Sequence, residues 1–196
     1  MTIELPHLTV CFRFSFFAVL TVMLLFCDAN VTALCLVSSL LHEGGHLAVM
    51  ALVRTYPQSI CFGAGGIVIE RARPGGKWEE FAAALGGVAL NAVLCLGALL
   101  SVRLTGSVTA RMFFWVNALL LLFNLLPVRQ LDLYTALCAV FPGKTGCFKR
   151  ISDVTTVLLF VATIVYFIKI SVNPSLAAAC ACCAACNGFS GERSDL

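Results

Sequence analysis

The sequence predicts an all-α polytopic membrane protein with about five transmembrane helices and a small β-hairpin loop between the second and third. Three observations carry this. Hydrophobic residues make up 60% of the 196-residue chain and charged residues 12%, against about 45–50% and about 25% in soluble domains. Mean hydropathy is +0.97. The apolar residues come in continuous runs, which suit helices that satisfy their own backbone in lipid, and not in the alternating pattern of a membrane barrel. The formal charge of +3 is small and says nothing about nucleic acid; no basic patch is interleaved with aromatics, and no nucleic-acid partner is expected.

The first dozen residues, with Glu4, Pro6, His7 and Arg13 at its border, read as a short polar lead. About 12–27 is a Phe-rich first span. It is read as retained because no small-residue cleavage site follows; Cys27-Asp28-Ala29-Asn30 has the character of a tight turn. The second span, Val31 to about Val53, is long enough to cross ~30 Å of hydrocarbon. The polar loop from Arg54 to Glu80 holds two strand-like pieces, 59–62 and 66–70, and a turn over Arg71–Lys77. That hairpin could add a strand to an extended peptide, or serve only as an interfacial connector. The third span runs from Phe81 to about Leu100 and a polar loop follows from Arg103 to Arg111. The apolar stretch Phe113–Phe141 is interrupted at 124–132, where Pro127 disfavours a continuous helix. Such breaks at membrane depth are tolerated where they line a cavity. A basic loop, Pro142–Arg150, precedes the last span, Val154 to about Ile170. Residues 1–172 are therefore expected to form one transmembrane domain, and 173–196 a low-complexity Cys/Ala-rich tail.

The chemistry-bearing string is His42-Glu43-Gly44-Gly45-His46, an HExxH pattern inside the second span that uses two of the chain's 3 histidines. Positions i and i+4 share a helix face, so both imidazoles can address one ion. Zinc accepts neutral imidazole, and two such ligands leave room for a third and a water. Glu43, beside the first ligand, can act on that water as a general base. The alternative is a histidine pair satisfied by hydrogen bonds to Glu43, but a carboxylate in hydrocarbon costs ~3 kcal/mol or more and needs a reason to be there. Asp132 is the only Asp well inside an apolar stretch, so it is expected as the third ligand; pairing with Arg129 is the competing assignment. Gly44 and Gly45 permit close helix packing, close approach of a substrate strand, or both. Asn91 is a buried amide that needs partners. The 11 cysteines are an odd number, which excludes complete internal pairing. Cys27, Cys35, Cys95 and Cys138 lie in apolar segments as small hydrophobes.

With the N-terminus inside and five spans, Arg13, Arg54, Arg71, Arg73, Lys77, Lys144, Lys149 and Arg150 fall on the inner side, and Arg103, Arg111, Lys169 and Arg193 on the outer. Eight against four places the strand loop and the basic loop toward the cytoplasm.

HEGGH in the second span, GGVALN in the third and NLLPVRQLD in the fourth together resemble the site-2 proteases, intramembrane zinc metalloproteases that cleave membrane-bound substrates. The small, mostly transmembrane layout is most similar to the bacterial branch that processes sporulation factors. The similarity covers roughly residues 8–141. It implies that His42, His46 and Asp132 bind one Zn²⁺, that Glu43 is the catalytic acid/base, and that Asn91 and Asn124 support the site or hold the substrate backbone. It further implies a multi-pass protein of a bacterial cell membrane, with a membrane-protein substrate and the lipid bilayer as partners and a regulatory membrane protein as a further one. Two positions depart from the family pattern: Val88 stands where Pro is usual, and Leu133 where Gly usually follows the metal-binding Asp. Both shape backbone and are not ligands, so they bear on substrate fit more than on metal binding. The rival functions are a catalytically silent membrane scaffold and a metal or proton transporter using the same cluster.

Overall fold

The computed structural model describes residues 2–5, 8–63, 66–71 and 75–170. The expected tail at 173–196 and most of the turn between Arg71 and Lys77 lie outside the described residues. The elements in order are β1 (Thr2–Leu5), β2 (Leu8–Phe12), α1 (Phe14–Phe26), α2 (Ala29–Leu52), β3 (Pro57–Gly63), β4 (Gly66–Arg71), α3 (Lys77–Thr105), α4 (Val108–Asn124), α5 (Asp132–Val140), a single 3₁₀ turn (Pro142–Lys144) and α6 (Thr145–Ile170).

The helix ends follow local chemistry. Asp28 caps α2 by accepting from the Asn30 amide at 2.8 Å. α2 ends where Arg54 takes a left-handed φ of 57° and Thr55 donates back to the Met50 carbonyl at 2.9 Å. Glu79 folds back onto the Gly76 amide at 2.8 Å to open α3. Gly106, at φ 65°, closes it with its amide on the Val102 carbonyl. Ser107 caps α4 straight away, so the expected 103–111 loop is only Gly106 and Ser107, and both arginines sit on helices. Likewise Lys149 and Arg150 ride on the first turns of α6 and not on a loop.

Two helices, α2 with 24 residues and α3 with 29, are long and apolar enough to cross a membrane among the described residues; α1 and α4 are apolar but shorter. The 13 residues of α1 reach only ~20 Å at ~1.5 Å per residue, less than the expected first span.

The packing is that of a protein solvated by lipid. α3 is the central helix and touches α2, α4 and α5. What it buries is small or polar, Ala83, Ala84, Cys95, Ala98 and Asn91, and its neighbours bury Thr32, Ser38, Asn117 and Ala136. The large apolar side chains point outward, among them Leu25, Phe26, Leu52, Leu96, Leu104, Trp115 and Leu122. Hydrocarbon offers no hydrophobic gain for burying Leu, so close backbone packing and interhelical hydrogen bonds must hold the bundle. Asn117 Nδ2 donates to Ser38 Oγ across α4 and α2 at 3.0 Å. Gly45 meets Gly86 so closely that a Cβ on Gly45 would lie 2.5 Å from the Gly86 carbonyl oxygen. Gly44 has nothing within 4 Å of the same position. One glycine of the pair is a packing surface and the other is open.

The N-terminal dozen is a correction to the sequence reading. β1 and β2 form an antiparallel hairpin, β2 runs parallel to β3, and β3 pairs antiparallel with β4, giving a four-stranded sheet in chain order. The parallel pair is allowed because α1 and α2 supply the long crossover it requires. Phe12 stacks on its in-register partner Phe62 with ring centroids 4.6 Å apart, and Phe16 of α1 meets Phe62 edge-on. Cys11 and Cys61, also in register, form a disulfide, whereas Cys27, Cys35, Cys95 and Cys138 are free thiols. The sheet fixes β1 and β2 to the same end of the bundle as β3 and β4.

Candidate metal centre

Three elements deliver three electron-pair donors to one point. α2 turns His42 and His46 to the same face, with their Nε2 atoms 3.3 Å apart. α5 begins at Asp132, whose Oδ2 lies 3.1 Å from His42 Nε2 and whose Oδ1 lies 3.3 Å from His46 Nε2. The donor atoms all lie within 4.8 Å of one another, on residues that are buried or nearly so. Tetrahedral zinc, with bonds of ~2.0–2.2 Å, separates its donors by ~3.4 Å. The chain between Asn124 and Asp132 makes the approach possible. It leaves helical geometry after Leu125, buries Val128, and turns at Gln130 with a left-handed φ of 71°. A non-glycine residue in that conformation carries strain that surrounding contacts must hold. α6 holds the preceding residue: Ser152 Oγ accepts from the Arg129 amide at 2.9 Å, and Asp153 accepts from the Arg129 guanidinium at 2.9 Å. Arg129 is thus paired with Asp153, and not with Asp132 as the competing assignment required.

The donors fit a cation. His46 Nδ1–H donates to the Ala83 carbonyl at 2.7 Å, which leaves Nε2 as a bare lone pair facing the cluster. Asp132 Oδ2 is buried and accepts no well-aligned hydrogen bond among the described residues. An unmatched carboxylate oxygen near the His46 lone pair is costly unless a positive charge lies between them. His42, His46 and Asp132 could therefore hold one metal ion.

The cluster opens into a cavity of about 250 Å³. α2 contributes Ser39, His42, Glu43, His46 and Met50; α4 contributes Leu120, Phe123 and Asn124; Gln130, Leu131, Asp132 and Thr135 come from the break and α5. Ala83 and Ala84 of α3 and Gly66, Ile67 and Ile69 of β4 complete the wall. Glu43 and Asn124 thus share the cavity with the three donors, and Asn124 Nδ2 donates to the Leu120 carbonyl of its own helix at 3.0 Å. Asn91 is placed differently. It is fully buried behind the ring of His42, with Nδ2 3.1 Å from Nδ1, and does not line the cavity.

This architecture has a counterpart. A site-2 protease from Methanocaldococcus jannaschii superposes with a TM-score of 0.69 at 15% identity, over 100% of this chain and 98% of that one. The fold is that of a site-2 protease. No family model and no curated protein matches the sequence, so the likeness rests on architecture.

Two parts of the site went unread in the sequence. One is the Ala83 carbonyl, a backbone group with no residue-type signal. The other is Gly87, where a Cβ would lie 2.5 Å from both His46 Nε2 and His42 Cε1. The pairs Gly44-Gly45 and Gly86-Gly87, one on each neighbouring span, were the available hint. We expect Gly87→Ala to lower affinity for a divalent metal about 10–100-fold, because the methyl occupies the space of the imidazole edges at a cost of about 1–3 kcal/mol. Metal content after dialysis against a weak chelator measures this.

Proposed function

We propose that this protein is an intramembrane zinc metalloprotease that hydrolyses peptide bonds of membrane-embedded protein substrates. The observation that carries the reading is the convergence of His42, His46 and Asp132 within 4.8 Å, with Glu43 on the wall of the same cavity. Two imidazoles, one carboxylate and an open side form the donor set of hydrolytic zinc. Zinc held there supplies Lewis acidity, polarising a scissile carbonyl and acidifying water toward a pKa of ~7.

The chain's own residues supply the rest. Glu43 accepts a proton from the attacking water and delivers it to the leaving amine nitrogen. Asn124, which lines the same cavity, would hold a substrate amide. Among the described residues β4 pairs with β3 on one side only, and its Gly66, Ile67 and Ile69 line the cavity. An extended substrate segment can pair with that strand, which draws unwound backbone over the donors. A helical substrate must unwind first, since its carbonyls are engaged in its own hydrogen bonds. Met50, Leu120, Phe123 and Leu131 give the cavity an apolar wall suited to membrane sequences.

The finer reading is a five-crossing protein of a bacterial membrane, similar to the sporulation-factor-processing branch, with the site toward the cytoplasm on the charge count. The Cys11–Cys61 disulfide favours the opposite orientation, since cytosolic thiols are kept reduced. Labelling of Cys147, an exposed free thiol, with a membrane-impermeant maleimide in intact cells separates the two.

The test of function is metal-dependent cleavage. Purified protein in detergent is expected to carry one zinc per chain. Stripping it with a chelator should end cleavage of a panel of transmembrane peptides, and adding back one equivalent of zinc should restore it. Cleavage that persists in fully stripped protein would rule the reading out.

A further inference from the structure

Ala83, Gly87 and Asn91 are spaced i, i+4, i+8 on α3 and share one face. Gly87 is bare, and the two residues flanking it each reach one imidazole. Ala83 presents its carbonyl to His46 Nδ1 at 2.7 Å, and Asn91 presents its amide to His42 Nδ1 at 3.1 Å. The first contact sets the tautomer of His46, leaving Nε2 free. The second decides the tautomer of His42, and two orientations of the amide are chemically distinct.

With the Asn91 NH₂ toward the ring, Nδ1 must be the acceptor, and a neutral His42 then carries its proton on Nε2. That is the nitrogen facing Asp132 Oδ2 at 3.1 Å and His46 Nε2 at 3.3 Å, and a protonated nitrogen cannot ligate. In this orientation Asn91 Oδ1 is also buried without a hydrogen-bond partner among the described residues. Turning the amide by 180° exchanges two groups of nearly equal size. The carbonyl oxygen then accepts from His42 Nδ1–H and Nε2 becomes a lone pair aimed at the cluster, while the NH₂ takes the buried position in which the oxygen had no partner among the described residues.

We propose that Asn91 is a positioning residue that presents its carbonyl oxygen to His42 and thereby selects the metal-binding tautomer. The inference rests on the zinc site proposed above and assigns Asn91 a role toward the metal in place of a role toward substrate. Outer partners of this kind govern zinc affinity by about 10–100-fold.

The test is zinc affinity, read by competition with a chromophoric chelator in detergent-purified protein, without any cleavage assay. Asn91→Leu keeps the volume and removes the acceptor; it should weaken zinc binding about 10–100-fold. Asn91→Asp keeps an acceptor and has no donor; it should bind zinc at least as tightly as wild type. The cobalt-substituted protein should show the same contrast in its visible d–d absorption. Weakened binding in Asn91→Leu together with full binding in Asn91→Asp supports the assignment. Equal affinity of Asn91→Leu and wild type overturns it, and so does an aspartate variant as weak as the leucine one, because the NH₂ would then be the group that matters. If Asn91→Leu does not fold, the aspartate variant decides alone on the same terms. Wild-type protein that binds no zinc would instead defeat the proposed function, and this inference with it.

Discussion

Glu43→Gln is expected to reduce peptide cleavage by about 10²–10⁴-fold, the range for loss of a positioned general base, while zinc content stays at the wild-type level. The separation of the two effects follows from the geometry. The three donors are His42, His46 and Asp132, and none of their mutual distances passes through Glu43. Glutamine has the same length and still lines the cavity, but its amide cannot take a proton from water at neutral pH. Both quantities can be read on one preparation: zinc by atomic emission and cleavage by mass spectrometry of a transmembrane peptide. Loss of zinc along with activity would mean that Glu43 holds the site together, and the acid/base role would have to be given up.

Gly45→Val is expected to damage the fold severely. A Cβ at Gly45 would lie 2.5 Å from Gly86 O and 2.9 Å from Gly86 C, and the reciprocal Cβ on Gly86 would lie 2.6 Å from Gly45 O. These are backbone atoms on two long helices, so no side chain can swing aside. Forced separation of α2 and α3 costs about 3 kcal/mol, at the upper end of overpacking. It also lengthens the contacts that orient both imidazoles, since Ala83 and Asn91 are on α3 and the histidines on α2. The variant should therefore melt earlier in detergent and lose zinc. Gly44→Ala is the control: nothing lies within 4 Å of its Cβ position, and Ala favours helix by up to ~1 kcal/mol. It should be as stable as wild type or more so, with zinc retained. If the two substitutions behave alike, the Gly45–Gly86 contact is not what sets the helix spacing.

What the sequence disclosed about the site was what helical periodicity discloses. His42 and His46 are four apart, so their common face needs no tertiary information. Asp132 stood out because an acid deep in an apolar run requires a partner. Its distance from the imidazoles was a different matter, since it depends on the left-handed turn at Gln130 and the clamp of Arg129 by Ser152 and Asp153. Neither has a signature in residue type. The first strands were missed for another reason. Val10 and Phe12 alternate with Thr9 and Cys11, but five residues give a weak period-2 signal beside a long apolar run. Their pairing with β3 is settled by partners about 50 positions away, such as Phe62 and Cys61. The sequence left Asn91 open between supporting the site and holding substrate, because a buried amide announces only that it has a partner, and not whether that partner is substrate, helix or imidazole.

The most direct test of the account is X-ray absorption at the zinc edge of the purified protein. It should show one zinc per chain bound only by nitrogen and oxygen at ~2.0–2.2 Å, with the multiple-scattering pattern of two imidazoles, and Asp132→Ala should strip or greatly weaken it. A first shell containing sulfur at ~2.3 Å, or a spectrum unchanged in Asp132→Ala, would show that the metal sits elsewhere and contradict a site built from α2 and α5.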